Sequence, residues 1–148
     1  MLGYPGAGKT TTAKVIHDLT GATHLWADHE RRKLFKRPTY SHKENIDLYD
    51  QLNKTVAELL ERGESVIFDT NFNFYKDRQK LRDIAQEHNA STLLIWVTTP
   101  KEIARERATK DAHTQATRVL GNIPLVTFDR ISSNLEKPRD DETHISVD

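Results

Sequence analysis

The chain has 148 residues, a length suited to one ordinary domain with a single buried core. Lys and Arg number 22, as do Asp and Glu, and the resulting formal net charge of zero argues against a protein that coats nucleic acid or an anionic membrane. Cysteine is absent and no apolar run approaches the roughly 20 residues of a membrane helix, so we expect a cytoplasmic protein without disulfides, thiolate metal sites or a membrane partner.

Apolar segments alternate between helical and strand spacing along the chain. The first half predicts, in order, a helix through Thr12, Val15, Ile16 and Leu19, a strand at Thr23–Trp26, a helix from Leu48 to Gly63 and a strand at Ser65–Phe68. The second half predicts a helix around Leu81–Ala85, a strand at Thr92–Val97, a helix capped by Thr99 with Glu102, a helix from Pro124 with Leu125, Phe128 and Leu135 on one face, and a strand at His144–Val147. Apolar strands alternating with helices indicate an α/β fold in three layers, with a parallel sheet covered on both faces.

The segment Gly3-Tyr4-Pro5-Gly6-Ala7-Gly8-Lys9-Thr10 has the pattern of a phosphate-binding P-loop: Gly, four residues, Gly, Lys, then Ser or Thr. Glycines let backbone N–H groups converge on phosphate oxygens, and Lys9 puts a positive charge against the β- and γ-phosphates. The Thr10 hydroxyl is suited to coordinate Mg²⁺. We therefore predict that ATP is bound through Pro5, Gly6, Ala7, Gly8, Lys9, Thr10 and Thr11.

Only Met1 and Leu2 precede this loop, where a P-loop fold has a full central strand. A domain without this strand would have two half-sheets with poorly paired edges, so we expect a truncated first strand, with native residues missing upstream or a misassigned start. The end of the chain at His144–Asp148 is abrupt for a similar reason. The expectation is a single P-loop domain over 1–148 that lacks native residues upstream.

Three classes of P-loop protein compete: small kinases, GTPase switches, and motor or remodelling ATPases. The sequence has no Asn-Lys-x-Asp guanine-binding motif, and Phe68-Asp69-Thr70 lacks the Glu that usually follows the aspartate in remodelling ATPases. A kinase instead needs a base near the acceptor hydroxyl, cations around the transferring phosphoryl group and a lid. Asp28 directly follows a strand, where side chains face the ligand crevice, and Arg31 shares its side if a helix begins there.

The loop, Ala27-Asp28-His29-Glu30-Arg31 and Phe68-Asp69-Thr70-Asn71 together resemble the polynucleotide 5′-hydroxyl kinase branch of P-loop kinases, which is related to zeta-toxin and chloramphenicol phosphotransferase kinases. The resemblance covers nearly the whole chain. It implies that Asp28 accepts the proton of the acceptor hydroxyl, that Arg31 holds the acceptor's phosphate, and that Asp69 helps to hold Mg²⁺ through water. It also implies lid cations that stabilise the phosphoryl group. The candidates are Arg105, Arg107 and Lys110, although the family's spacing favours position 109, which is Thr109.

Each of these residues also has an ordinary structural explanation. Asp28 could cap the helix that follows it, and Asp69 could be purely structural. Arg31, Arg105 and Arg107 could be solvated surface charges. The seven histidines are dispersed without metalloprotease-like spacing, and among them only His29, beside Asp28, is a candidate for contacting substrate.

The acceptor side is predicted from a basic segment next to Asp28. It contains Arg31, Arg32, Lys33, Lys36, Arg37 and Lys43, with Phe35 and Tyr40 between them. Such a segment suits a nucleic-acid or nucleotide acceptor through phosphate contacts and base stacking, but it also suits a solvated helix face. We predict an ATP- and Mg²⁺-dependent kinase that phosphorylates a hydroxyl. The alternatives are a regulatory ATPase, an ATP-binding module without an acceptor, and a kinase of sugars, nucleotide sugars or antibiotics.

Overall fold

The computed structural model describes residues 1–39, 41–109 and 122–148. These residues form helices α1 (Lys9–Thr20), α2 (Ala27–Leu34), α3 (His42–Glu61), α4 (Tyr75–Glu87), α5 (Lys101–Thr109) and α6 (Leu125–Ser133). The strands are β1 (Thr23–Trp26), β2 (Val66–Asp69), β3 (Leu94–Val97) and β4 (His144–Val147). The predicted alternation of strands and helices is confirmed. Helix α2 begins at Ala27, so Asp28 and Arg31 lie three residues apart on one helix, as predicted.

All pairing between the named strands is parallel, in two two-stranded sheets. Strand β1 pairs with β2, and β3 pairs with β4. The Met1–Leu2 segment lies between the two sheets. The Leu2 amide donates to the Ile95 carbonyl at 2.8 Å, and the Met1 amino group donates to the Phe68 carbonyl at 3.1 Å. The spatial order is therefore β1, β2, Met1–Leu2, β3, β4, so the short first segment occupies the central position of the predicted parallel sheet.

Two apolar clusters cover the two faces of the sheet. Successive residues of β2 point to opposite faces, so Ile67 joins one cluster and Phe68 the other. The first also contains Ala13 of α1, Ala104 and Ala108 of α5, and Phe128 of α6. The second contains Leu48, Leu52 and Val56 of α3 with Leu25 and Phe72. Helices on both sides of a parallel sheet give the predicted three-layer architecture.

The helix predicted through Thr12, Val15, Ile16 and Leu19 is confirmed as α1. Its core contacts are made by Ala13 and Ile16, whereas Val15 and Leu19 are exposed. The prediction for the last helix is wrong in one respect. Helix α6 ends at Ser133, so Leu135 lies beyond it and cannot share a helical face with Leu125.

Two more boundaries differ from prediction. Strand β3 begins at Leu94 rather than Thr92, and α5 begins at Lys101. The hydroxyl of Thr99, predicted as the helix cap, donates instead to the Ala7 carbonyl at 2.8 Å. The end of β3 is therefore bonded to the P-loop.

Candidate active site

The P-loop lies at the N-terminus of α1 and contains glycines with positive φ, a conformation that residues with a side chain rarely adopt. Gly8 immediately precedes the helix with φ of 103°, and Gly6 has φ of 80°. A Cβ added at Gly6 would lie 2.3 Å from the Ala104 carbonyl oxygen of α5, so the loop needs glycine there for space as well. A Cβ at Gly8 would meet nothing within 4 Å, which leaves the loop open beside the helix N-terminus where an anion is favoured.

Lys9 is buried, and its ammonium group bonds the loop itself. Nζ donates to the carbonyl oxygens of Gly3 at 3.0 Å and Tyr4 at 2.9 Å. Burial lowers the Lys9 pKa to about 8, although the carboxylates of Asp69 and Asp28 act to raise it. The ammonium group is therefore a desolvated cation, held beside the loop by two of its three N–H donors.

Asp69 ends β2 and is almost fully buried. Its Oδ2 lies 3.0 Å from Nε2 of His24, a residue of β1 that the sequence analysis did not select. Among the described residues no group of three or more His, Cys, Asp or Glu side chains is placed to hold a metal. A hydroxyl at Thr10 and a carboxylate at Asp69 nevertheless fit Mg²⁺, which is bound by few protein oxygens and completes its shell with water and phosphate.

Asp28 lies in the first turn of α2, and its side chain is open to solvent. The protein surrounding its carboxyl group raises the pKa by desolvation, and Asp69 raises it further, against the opposing charges of Arg31, Lys9 and Arg32. The site therefore combines a solvent-accessible carboxylate of raised basicity with the P-loop lysine and the β2 aspartate. These three residues come together because they follow neighbouring parallel strands or the P-loop at one edge of the sheet.

The charge of Arg31 acts to lower the Asp28 pKa, while its guanidinium group bonds residues of α3. It is buried, and its Nη1 donates to Oε1 of Glu44 at 2.6 Å while Nη2 donates to Oδ1 of Asn45 at 2.7 Å. The guanidinium group ties α2 to the start of α3. The description of Arg31 as a solvated surface charge is therefore wrong, and its predicted contact with an acceptor phosphate stays a prediction.

The proposed lid cations lie on α5. Arg105 and Arg107 are exposed, while Ala104 and Ala108 of the same helix pack toward Gly6. A groove between α5 and the start of α6 is lined by Arg105 with Glu102, Glu106, Thr109 and the 122–125 segment. Lys110 lies outside the described residues.

The basic segment after Asp28 is smaller than predicted. Arg31 is buried, and Phe35 packs against the α3 side of the core, which leaves Arg32, Lys33, Lys36, Arg37 and Lys43 exposed. Tyr40 lies outside the described residues. The described part of this segment therefore supplies surface cations, but Phe35 is not a free stacking surface.

Two polar clusters escaped the sequence analysis because they join distant parts of the chain. Tyr49 of α3 has its hydroxyl 2.6 Å from the Thr70 hydroxyl. Arg78 of α4 is buried and pairs with both carboxylate oxygens of Glu142 at 2.7 and 2.8 Å. The second cluster fixes the segment leading to β4 and lies apart from the P-loop contacts described above.

This fold and this loop define a P-loop nucleoside-triphosphate-binding protein with the P-loop kinase fold. The family model described as "AAA domain" (AAA_33) matches residues 1–138, and the chain belongs to that family. The described residues include no helix both long enough and apolar enough to cross a membrane.

Similar proteins agree with this assignment. The chain is 42% identical over 65 residues to the adenylate kinases of Thermotoga petrophila and Thermotoga maritima, a match covering 44% of this chain and 25% of each relative. It thus spans about a quarter of the length of these curated relatives. Among solved structures, it is similar to a gluconokinase from Sinorhizobium meliloti 1021, with a TM-score of 0.68, 17% identity and coverage of 99% of this chain and 78% of that one. It is also similar to the Mycobacterium tuberculosis APS kinase in complex with AMPPNP and APS, with a TM-score of 0.70, 16% identity and coverage of 99% and 86%.

Proposed function

We propose that the protein is an ATP- and Mg²⁺-dependent kinase that transfers the γ-phosphoryl group to an acceptor hydroxyl. The observation that carries the proposal is the placement of Asp28, which is open to solvent yet electrostatically coupled to Lys9 and Asp69. A phosphate-binding module that only senses nucleotide has no need of a basic carboxylate at this position. Relatives named adenylate kinase, and the fold shared with gluconokinase and APS kinase, support the broader class of ATP-dependent kinase.

The proposed reaction begins with reorientation of Lys9. Its Nζ exchanges the carbonyls of Gly3 and Tyr4 for the β- and γ-phosphates, while the open backbone around Gly8 receives the phosphate oxygens. Thr10 and Asp69 would hold Mg²⁺, which when bound neutralises charge on the phosphates. Asp28 accepts the proton from the acceptor hydroxyl as the hydroxyl oxygen attacks the γ-phosphorus, the bond from that phosphorus to the β–γ bridging oxygen breaks, and ADP leaves. The raised pKa of Asp28 makes it a better proton acceptor. Arg105 and Arg107 are the proposed lid cations.

The acceptor is proposed at the level of chemical class. The exposed cations Arg32, Lys33, Lys36 and Arg37 lie close after Asp28 and favour an anionic acceptor such as a nucleotide or a nucleic-acid 5′-hydroxyl end. The finer proposal is the activity that the resemblance implies, phosphorylation of a polynucleotide 5′-hydroxyl. Because kinases of very different acceptors share the fold, the acceptor must be found by experiment.

The test is transfer of label from γ-labelled ATP to a panel of acceptors. The panel contains 5′-hydroxyl DNA and RNA, nucleosides, nucleoside monophosphates and sugars, with an acceptor-free reaction alongside. We expect ATP hydrolysis to be slow alone and transfer to appear with one class of acceptor. Hydrolysis that no acceptor stimulates would favour a regulatory ATPase, and binding without any turnover would favour a nucleotide-binding module.

Two variants test the roles within the site. Asp28→Asn should leave ATP binding nearly intact while transfer falls by roughly 10²-fold or more, because the proton acceptor is lost. Lys9→Ala should abolish transfer and greatly weaken ATP binding. The matched control is Asp18→Asn, which removes an exposed carboxylate near the other end of α1 and should preserve both binding and transfer. Normal transfer by Asp28→Asn would show that Asp28 is not the base.

A further inference from the structure

We propose that His24 is a positioning residue that fixes the carboxylate of Asp69 for its work at the Mg²⁺·ATP site. This inference rests on the proposed function, because it takes Asp69 as the carboxylate directed at the ion. Nothing in the sequence distinguishes His24 from the six other histidines. The strand register and the contacts of its ring do distinguish it.

The register of β1 and β2 brings the two side chains together. Trp26 lies opposite Asp69, and His24 lies two residues earlier, on the same face of β1 as Trp26. The imidazole therefore reaches Asp69 diagonally, and Nε2 lies 3.0 Å from Oδ2. The Asp69 side chain is buried, with 3% exposed, and that of His24 is largely covered, with 12% exposed. Because an ionised carboxylate can only accept, Nε2 carries the hydrogen and donates it.

The ring of His24 is itself held in place. It stacks on Trp26 with the ring planes 11° apart and the centroids 6.0 Å apart. Trp26 stacks in turn on His29 and lies beneath the ammonium group of Lys14, whose Nζ is 5.4 Å from the ring centroid. A donor whose ring is stacked on Trp26 restricts rotation of the carboxylate. Oδ2 accepts from the histidine, and the carboxylate keeps further acceptor capacity for the water of a hydrated ion.

Residues that hydrogen-bond to a metal ligand, without binding the metal themselves, commonly affect metal sites. A hydrogen-bonding group behind a metal-directed carboxylate orients it, and the loss of such a partner typically reduces metal affinity or activity by about 10–100-fold. The same contact could serve folding alone. The two roles differ in one measurable respect, since a structural bond stabilises the protein without making nucleotide binding more dependent on Mg²⁺.

The experiment is calorimetric titration of a non-hydrolysable ATP analogue, with Mg²⁺ and with a chelator. We expect His24→Leu to lower the apparent Mg²⁺ affinity of the nucleotide-bound protein by about tenfold and to leave Mg²⁺-free nucleotide affinity unchanged. His24→Gln should restore most of the Mg²⁺ affinity, because its amide N–H can also donate to Asp69. His144→Leu is the matched control, since it removes a histidine that also lies on a strand beside a tryptophan, Trp96, and should keep the wild-type Mg²⁺ dependence.

The outcomes separate this inference from the proposed function. Wild-type protein whose nucleotide binding ignores Mg²⁺ would overturn the proposed function, and this inference with it. Wild-type protein that depends on Mg²⁺, with His24→Leu showing the same dependence, would overturn only the role of His24. Equal loss of nucleotide affinity with and without Mg²⁺ would make the contact structural, which also overturns that role.

If His24→Leu fails to fold, a measurement on the wild-type protein tests the proposed role of His24. In protein labelled with ¹⁵N-histidine, the His24 ring signal, assigned by its loss in His24→Gln, should show hydrogen on Nε2 and should shift when Mg²⁺ is added to the nucleotide complex. Hydrogen on Nδ1 alone would overturn the proposal, because Nε2 would then have nothing to donate to Asp69.

Discussion

Raising the pH from 7 to 9 should weaken nucleotide binding by about tenfold through Lys9 alone. Burial lowers the pKa of this lysine to about 8, although Asp69 and Asp28 act to raise it. The ammonium group is then about 90% protonated at pH 7 and about 10% at pH 9. Bound polyphosphate favours the charged form and raises the pKa in the complex. Affinity is therefore full below the pKa of the free protein and falls as the pH rises through it.

The expected loss corresponds to about 1.4 kcal/mol of binding free energy between those two pH values. It is measured by calorimetry with a non-hydrolysable ATP analogue at constant ionic strength, in buffers of differing ionisation enthalpy that report proton uptake. Asp28→Asn removes one carboxylate that raises the Lys9 pKa, so its decline should begin at lower pH. Lys9→Met should bind weakly and without this pH dependence. A wild-type affinity that stays constant from pH 7 to 9, or an equal decline in Lys9→Met, would refute the reasoning.

Three further predictions concern stability, measured by urea or thermal unfolding. Gly6→Ala should destabilise the protein more than Gly21→Ala. Both glycines have positive φ, but only a Cβ at position 6 meets backbone, 2.3 Å from the Ala104 carbonyl oxygen. Equal losses of unfolding free energy in the two variants would contradict this prediction. Glu142→Gln should cost about 3–5 kcal/mol as a broken buried ion pair. Burial raises the Glu142 pKa, but hydrogen bonds from arginine side chains and a backbone amide outweigh burial and hold the pKa at about 2. The stabilisation by the ion pair is therefore present above about pH 4.5 and lost as the pH falls toward 2. A wild-type stability that is flat across that range would refute this prediction. Arg31→Met should lower the unfolding free energy by about 3 kcal/mol or more, since Glu44 keeps a buried charge, and unchanged stability would point instead to a role at the acceptor.

The sequence was sufficient for features set by local patterns. Glycine spacing with Lys9 predicted the P-loop, and the alternation of elements predicted the parallel sheet. That topology also predicted that Asp28, which follows a strand, faces the ligand crevice, and in the structure Asp69 ends the neighbouring parallel strand. In each case the relevant information lies within a few residues or in the general geometry of α/β folds.

The features that were missed depend on contacts between distant elements. The partner of Arg31 is Glu44, which lies on another helix, and a basic residue in a basic segment carries no mark of such a buried pairing. His24 reaches Asp69 only because of the register between β1 and β2, which spacing alone does not fix. Leu19 belongs to a helical apolar pattern but is 80% exposed, because packing of the loop and Ala13 determines which side of α1 faces the sheet.

The contact between Gly6 and α5 also limits how this sequence can vary. The carbonyl of Ala104 and the amide and methyl group of Ala108 occupy the space where a side chain at position 6 would lie. Glycine is already the smallest residue, so a larger residue at position 108 cannot be offset by a smaller one in the loop. The size of Ala108 is therefore limited by the phosphate-binding loop as well as by its own helix. Sequence exchange at position 108 should be restricted to the smallest residues.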